Sequence, residues 1–314
     1  MKVSIIGAGA MGSLFGGKIS KTGADVTLYD INKEHVDRIN LKGLIIEEPL
    51  LGTEETVHPK ATTSSEDLKD SDVFIIFVKS TVTETVAKQF SRYAKDRTIA
   101  VTMQNGLGNE AIIRSYFGAD KTAAGVTSQG ATFLGPGRIR HAGNGPTHLC
   151  MSDLKNEKIE PLVELFRNAG FEADIEENIQ DLVWSKLIIN VGINAVTALT
   201  GLKNGELLDY DETKDIMADL VNEACRVAEK KGIKLSYKNP LKTVYDVAKK
   251  TALNRSSMLQ DFDRKSRSEI DFINYAIVRE GKELGIETPV NRTVTGLVRV
   301  LDDIHRKIRG RYNA

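Results

Sequence analysis

Six residues near the start of the chain, Gly7-Ala8-Gly9-Ala10-Met11-Gly12, restrict its possible folds more than any other stretch. They match G-x-G-x-x-G, directly after the short apolar run Val3-Ser4-Ile5-Ile6 and at the opening of a helical pattern from Met11 to Thr22. In a strand–turn–helix setting each glycine serves a separate purpose. One makes the tight turn, one lets backbone approach a pyrophosphate, and one lets the helix pack closely on the strand. The helix start also offers N–H groups and the positive end of a dipole to phosphates. All six residues are candidate dinucleotide contacts, set against the plainer reading that they only make a tight turn.

The following pattern supports the first reading. Strand-like runs at 25–30, 72–79 and 98–103 alternate with helical periodicity, as at 33–42. The run Asp72 to Lys79 is almost continuously apolar, as expected of a parallel strand covered on both faces. A Rossmann-type, doubly wound parallel α/β sheet is therefore predicted for the N-terminal domain. The glycine- and threonine-rich stretch 123–151 reads as extra strands at one sheet edge, and 160–169 and 170–175 as a last helix and strand. From Ile179 onward helical periodicity dominates, with breaks at Gly201, Gly232, Asn239-Pro240 and Gly285, so an all-α C-terminal domain is expected. The predicted division is 1–178 for dinucleotide binding and 179–314 for substrate and catalysis; a chain of 314 residues suits two domains of roughly 150 each.

Composition excludes several functions. The 43 basic residues balance 43 acidic ones, without the basic excess of a nucleic-acid binder. The run Arg306, Lys307, Arg309, Arg311 reads as a solvated helix end. Two distant cysteines, Cys150 and Cys225, argue against a disulfide framework and suit a reducing cytosol. No signal peptide is read at the N-terminus, and no apolar run approaches the roughly 20 residues of a membrane span. A cytoplasmic protein without membrane or nucleic-acid partners is expected. His141 and His148 have no ligand-spaced companions and read as structural.

Asp30 closes the second strand, 18 residues beyond Gly12, where an acid that grips a ribose 2′-hydroxyl belongs. A carboxylate there repels a 2′-phosphate and favours NAD(H), although Asp30 could instead cap the next helix. Lys79 ends its strand and is either a counter-charge near the adenosine end or a solvated strand end.

Chemistry is suggested in the second half. Lys186, Asn190 and Asn194 recur at i, i+4 and i+8 and so line one stripe of a helix, next to Trp184, a core residue by its pattern. Amides among Leu, Ile and Val are costly unless satisfied, so the stripe faces a polar cleft or forms a buried network. A lysine there has its pKa lowered by desolvation, which makes it a better acid near neutrality.

Together with Gln104-Asn105-Gly106, Asn204-Gly205-Glu206-Leu207, Ser256-Ser257-Met258-Leu259-Gln260-Asp261 and Ser268-Glu269-Ile270-Asp271-Phe272-Ile273-Asn274, these blocks resemble, in order and spacing, the ketopantoate reductase (2-dehydropantoate 2-reductase) family along nearly the whole chain. The resemblance implies Lys186 as general acid and Glu269 as an acid that assists catalysis and contacts cofactor or substrate. It implies Asn190, Asn194 and Ser257 as substrate-holding groups, Asn105 beside the nicotinamide and the lysine, and Lys79 near the adenosine phosphate. The implied reaction reduces 2-dehydropantoate to D-pantoate, usually with NADPH, on the route to pantothenate and coenzyme A. From the residues alone, Ser256 or Ser257 reads equally as an N-cap, Glu269 as a surface acid paired with Lys265, and Asn105-Gly106 as a turn. Family members preferring NADPH commonly carry an arginine just after the second strand, where this chain reads Tyr29-Asp30-Ile31-Asn32-Lys33. The alternative is therefore an NAD-dependent D-2-hydroxyacid dehydrogenase acting on another branched or aromatic 2-keto acid; a nucleotide-binding sensor without turnover would not need the lysine–asparagine stripe. The partner is a small 2-keto acid, and pairing of two copies through the helical domain is expected.

Overall fold

The structure, a computed structural model, describes residues 1–49 and 51–312, with side chains to residue 308. It divides into two compact units: Met1–Gln104 with Asn109–Ile179, and Asn105–Gly108 with the chain from Gln180 onward.

The first unit begins β1 (Lys2–Ile6), α1 (Ala10–Ser20), β2 (Asp25–Tyr29) and α2 (Lys33–Lys42), then the hairpin β3 (Leu44–Glu48) and β4 (Thr53–Val57) and the short β5 (Lys60–Thr62). It continues through β6 (Val73–Ile76), α3 (Thr83–Phe90), β7 (Ile99–Thr102), α4 (Asn109–Phe117), β8 (Thr122–Thr127), β9 (Gly130–Gly135), β10 (Arg138–Gly143), β11 (Thr147–Met151), α5 (Glu160–Asn168) and β12 (Ala173–Ile175). Eight strands form the main sheet in the order β12-β11-β8-β7-β6-β1-β2-β5. From β5 to β8 every pairing is parallel, and taken in sequence these six strands have the order 3-2-1-4-5-6 of dinucleotide-binding sheets. The order reverses between β1 and β6, so ligands are expected beyond the carboxyl ends of those strands, where the glycine loop lies.

Alternation explains both faces. Ile5 packs with Phe15 and Phe166 on one side of the sheet, whereas Ile6 joins Phe74, Phe90 and Phe117 on the other. All four residues of β6 are buried, as its apolar run requires. Phe15 stacks on Phe171 with ring centroids 4.3 Å apart.

The predicted extra strands prove to be divided. Strands β8, β11 and β12 do extend the main sheet, with β11 antiparallel to β8. Strands β9 and β10 leave it and join β3 and β4 in a second sheet of order β4-β3-β10-β9. The hairpin β3–β4 escapes sequence reading because β4, Thr-Glu-Glu-Thr-Val, is largely exposed and polar. Helix α1 lies between the sheets, and small residues make this possible: a Cβ on Gly16 would meet Leu28 at 2.2 Å, and one on Gly17 would meet Leu44 and Ile46 at 3.0 Å. His141 belongs to the second sheet, its Nδ1 2.8 Å from Glu48 and its Nε2 2.7 Å from Gln129. Among the described residues no cluster of three or more His, Cys, Asp or Glu could hold a metal ion.

The second unit is helical: α6 (Ile179–Thr200), α7 (Asp211–Lys230), α8 (Pro240–Lys250), α9 (Ser257–Asp263), α10 (Asn274–Leu284) and α11 (Pro289–Tyr312). Asn239 caps α8 by accepting the Lys242 N–H, with Pro240 at the first helical position. Gly285 ends α10 in the left-handed region, φ 71°. Helix α6 is long and apolar enough to cross a membrane by length and composition, but two-thirds of its apolar window is buried by the protein, which makes it the core helix of its unit. The core is not purely apolar. Glu223 of α7, 4% exposed, accepts the N–H groups of Val290 and Asn291 at 2.9 Å each and so caps α11 across the fold. Asn291 donates to Leu220 O and Glu223, and Asn274 to Val191 O and Asn291. At the far end of α11 Arg306 and Lys307 are exposed; the side chains of Arg309 and Arg311, the rest of that basic run, lie outside the described residues.

Candidate active site

In the first unit the loop between β1 and α1 is built around its backbone. Gly7 has φ 94°, and its N–H and that of Ala8 both donate to Tyr29 O at the end of β2, at 2.9 and 3.1 Å. A Cβ on Gly7 would lie 2.8 Å from Val78 N, and one on Gly12 would lie 2.0 Å from Gly7 O, so neither position admits a side chain. Gly9 is different: nothing lies within 4 Å of its Cβ position, so the loop surface is open there. Gly9 is also the N-cap of α1; no side chain caps this helix and no acid occupies its first turn. N–H groups without a side-chain cap, beside an open glycine at a helix start, fit a dinucleotide pyrophosphate.

Asp30 is half-buried just beyond β2 and accepts the Asn32 N–H at 2.9 Å. Asn32, not Asp30, caps α2, accepting from His35 N. Lys33, the nearest base downstream, pairs with Asp37 at 2.5 Å. Lys79 is exposed just beyond β6, near the carboxyl ends of the parallel strands.

In the second unit α6 carries Lys186, Asn190 and Asn194 on successive turns, while Trp184, Leu187, Ile188 and Val191 fill the core. Lys186 and Asn190 keep part of their surface open; Asn194 is 6% exposed. Asn194 Nδ2 donates to Ser257 Oγ at 3.3 Å. The two serines do different things. Ser256 caps α9, its Oγ accepting the Leu259 N–H, and bonds Thr197 Oγ1 at 2.6 Å, while Ser257 faces Asn194.

Glu269 is buried, 7% exposed, and is not a surface acid. Burial of the Lys186 ammonium lowers its pKa to about 8, and the nearby Glu269 carboxylate opposes that shift. The segment around Glu269 is held by α11: Ser268 donates its N–H and hydroxyl to Asp302, and Arg299 grips Asp271 at 2.6 Å while lying over the Tyr275 ring. The loop bearing Asn105 joins the same unit through a Leu107 N–H bond to Phe272 O at 2.8 Å. Gly106, φ 87°, sits where a Cβ would strike Phe272 O, so Asn105-Gly106 is a turn pressed against the Glu269 segment. Sequence reasoning missed Asp302 and Arg299, which lie on a helix with no motif of its own.

A dinucleotide-type sheet, with a helical unit in which a lysine of lowered pKa shares a stripe with two amides, defines the class of pyridine-nucleotide oxidoreductases. Comparison with known proteins narrows it. Residues 3–153 match the family described as ketopantoate reductase PanE/ApbA, and residues 178–302 match its C-terminal domain. The chain is 36% identical over 305 residues to a 2-dehydropantoate 2-reductase of Pyrococcus horikoshii, covering 97% of this chain and 98% of that one. It is 34% identical over 301 residues to one of Halobacterium salinarum, covering 96% and 98%. Among solved structures, a PanE/ApbA-family ketopantoate reductase from Ralstonia eutropha superposes with TM-score 0.89 at 32% identity, covering 98% of this chain and all of that one. D-mandelate dehydrogenase in a ternary structure with NADH and anilino(oxo)acetate superposes with TM-score 0.88 at 29% identity, with the same coverage. The chain belongs to the ketopantoate reductase family.

Proposed function

We propose that this protein reduces 2-dehydropantoate to D-pantoate, with Lys186 as the proton donor. The observation that carries this reading is Lys186 itself: an ammonium with a pKa near 8, beside a buried carboxylate, on the stripe that holds Asn190 and Asn194. When bound, NAD(P)H supplies the hydride that attacks the keto carbon. Negative charge then builds on the former carbonyl oxygen, and Lys186 donates its proton there, leaving a neutral amine and the alcohol. Asn190, Asn194 and Ser257 hold the substrate's carboxylate and hydroxyl with donors fixed in place before the reaction. Glu269 keeps Lys186 protonated by its charge, and Asn105 borders the same site.

In this reading residues 1–178 bind the dinucleotide through Gly7–Gly12, with Asp30 at the ribose hydroxyls and Lys79 toward the adenosine phosphates; residues 179–314 bind substrate. The product would feed pantothenate and coenzyme A synthesis in the cytoplasm. Pairing of two copies through the helical unit is supported by Leu297, Val300 and Ile304, which are exposed on α11 at helical spacing.

A second reading has its own support. Asp30 favours NADH, Lys33 is engaged by Asp37, and the likeness to an NADH-bound D-mandelate dehydrogenase suits an NAD-dependent D-2-hydroxyacid dehydrogenase. Initial rates with NADH and NADPH on ketopantoate, 2-ketoisovalerate and phenylpyruvate separate the two. Ketopantoate is expected to give the highest kcat/KM; if it is the poorest of the three, the second reading replaces the first.

A further inference from the structure

His35 lies in the first turn of α2, 1% exposed, at the centre of a hydrogen-bond chain that ends on the glycine loop. The Gly137 N–H, at the turn between β9 and β10, meets His35 Nδ1 at 2.9 Å. A backbone N–H only donates, so Nδ1 accepts and the neutral ring carries its proton on Nε2. Nε2 lies 3.1 Å from Ser13 Oγ and donates to it, and the Ser13 hydroxyl donates to Ala8 O at 2.7 Å. Every bond in the chain thus has one direction. Because the peptide is planar and trans, holding the Ala8 carbonyl toward Ser13 turns the Gly9 N–H to the opposite side. The Ala8 N–H is held separately by Tyr29 O.

We propose that His35 is a positioning residue for the dinucleotide: through Ser13 it sets the Ala8–Gly9 peptide that the pyrophosphate meets, and only its neutral ring can do so. The proposal rests on the glycine loop being the dinucleotide site. A proton on Nδ1 would set a donor against the Gly137 N–H and break the chain at its origin. Burial keeps the ring's pKa below the ordinary histidine value, against opposing effects of Asp30 and the Ala8 carbonyl, so the chain is intact at neutral pH and breaks on acidification. Asp30, just beyond β2, is the charge acting on the ring. Ser13 of α1, Ala8 of the loop, and Gly137 and Phe133 of the second sheet are uncharged. Of the nearby cations, Arg138 is engaged by Glu47 and Glu54, and Lys33 by Asp37, while the Arg38 stem packs on Gly137.

The test is calorimetric binding of NAD⁺, whose pyrophosphate charge is constant from about pH 5 to 8, to wild type, Ser13→Ala and His35→Ala. Ser13→Ala removes one buried hydroxyl with little change of volume, so it reports on the chain even if His35→Ala unfolds. Wild-type Kd should rise about five- to tenfold on acidification, the size of one lost hydrogen bond. Ser13→Ala should show a similar loss already at neutral pH and a flattened pH response. A wild-type Kd independent of pH, with Ser13→Ala binding equally well, would make His35 an ordinary core residue and overturn the proposal. Failure of wild type to bind either NAD⁺ or NADP⁺ would overturn the dinucleotide reading and the proposal with it.

Discussion

Lys186 combines two opposing influences, and the pH response expected of it as the proposed proton donor follows from their balance. Burial lowers its pKa to about 8 and Glu269 resists. A proton donor must be charged to act, so reduction should hold level below about pH 8 and decline above it, while oxidation of the hydroxy acid should rise through the same range; initial rates in both directions check the sign. Replacing Glu269 by Gln removes the group that raises the Lys186 pKa, so the decline in reduction should move to lower pH. Lys186→Ala should lower kcat by a factor on the order of 10²–10⁴ and leave NAD⁺ affinity nearly unchanged. Unchanged turnover would remove Lys186 as the acid. Asp30→Ala removes the carboxylate proposed to sit at the ribose hydroxyls, and the ratio of kcat/KM for NADPH over NADH should rise.

At the scale of elements, the joints between helices are polar and buried. Glu223, on α7, satisfies the N–H groups of Val290 and Asn291 at the start of α11 from across the fold. Glu223→Ala would strand those donors, and a loss of about 2–3 kcal/mol is expected in urea unfolding. The lysine–asparagine spacing is a local property, and α6 carries all three residues because a continuous helix needs only periodicity and the absence of breakers. Which serine caps α9 is a different matter. Ser256 and Ser257 are equivalent to any pattern, and only the approach of Thr197 and Asn194 from α6 separates them.

At the scale of the whole molecule, sizing by light scattering should give the mass of a dimer; a monomer mass would leave Leu297, Val300 and Ile304 without the proposed role. The parallel sheet and the helical second unit were readable because burial on both faces and helical periodicity are written in contiguous residues, whereas the strand order came only with the structure. The second sheet was not. Strand β4 is polar and exposed, and its sheet joins segments about ninety residues apart, so nothing local distinguishes β9 and β10 from edge strands of the main sheet. His35 was equally silent: a histidine in an amphipathic helix gains meaning only when Gly137 and Ser13 close on its two nitrogens. The sequence by itself therefore determined the apolar parallel strands, the helices and which side chains share a helix face, because those depend on neighbours along the chain. Only the tertiary structure decided which polar groups meet inside it, because a buried hydrogen bond is set by whichever distant segment arrives to satisfy it.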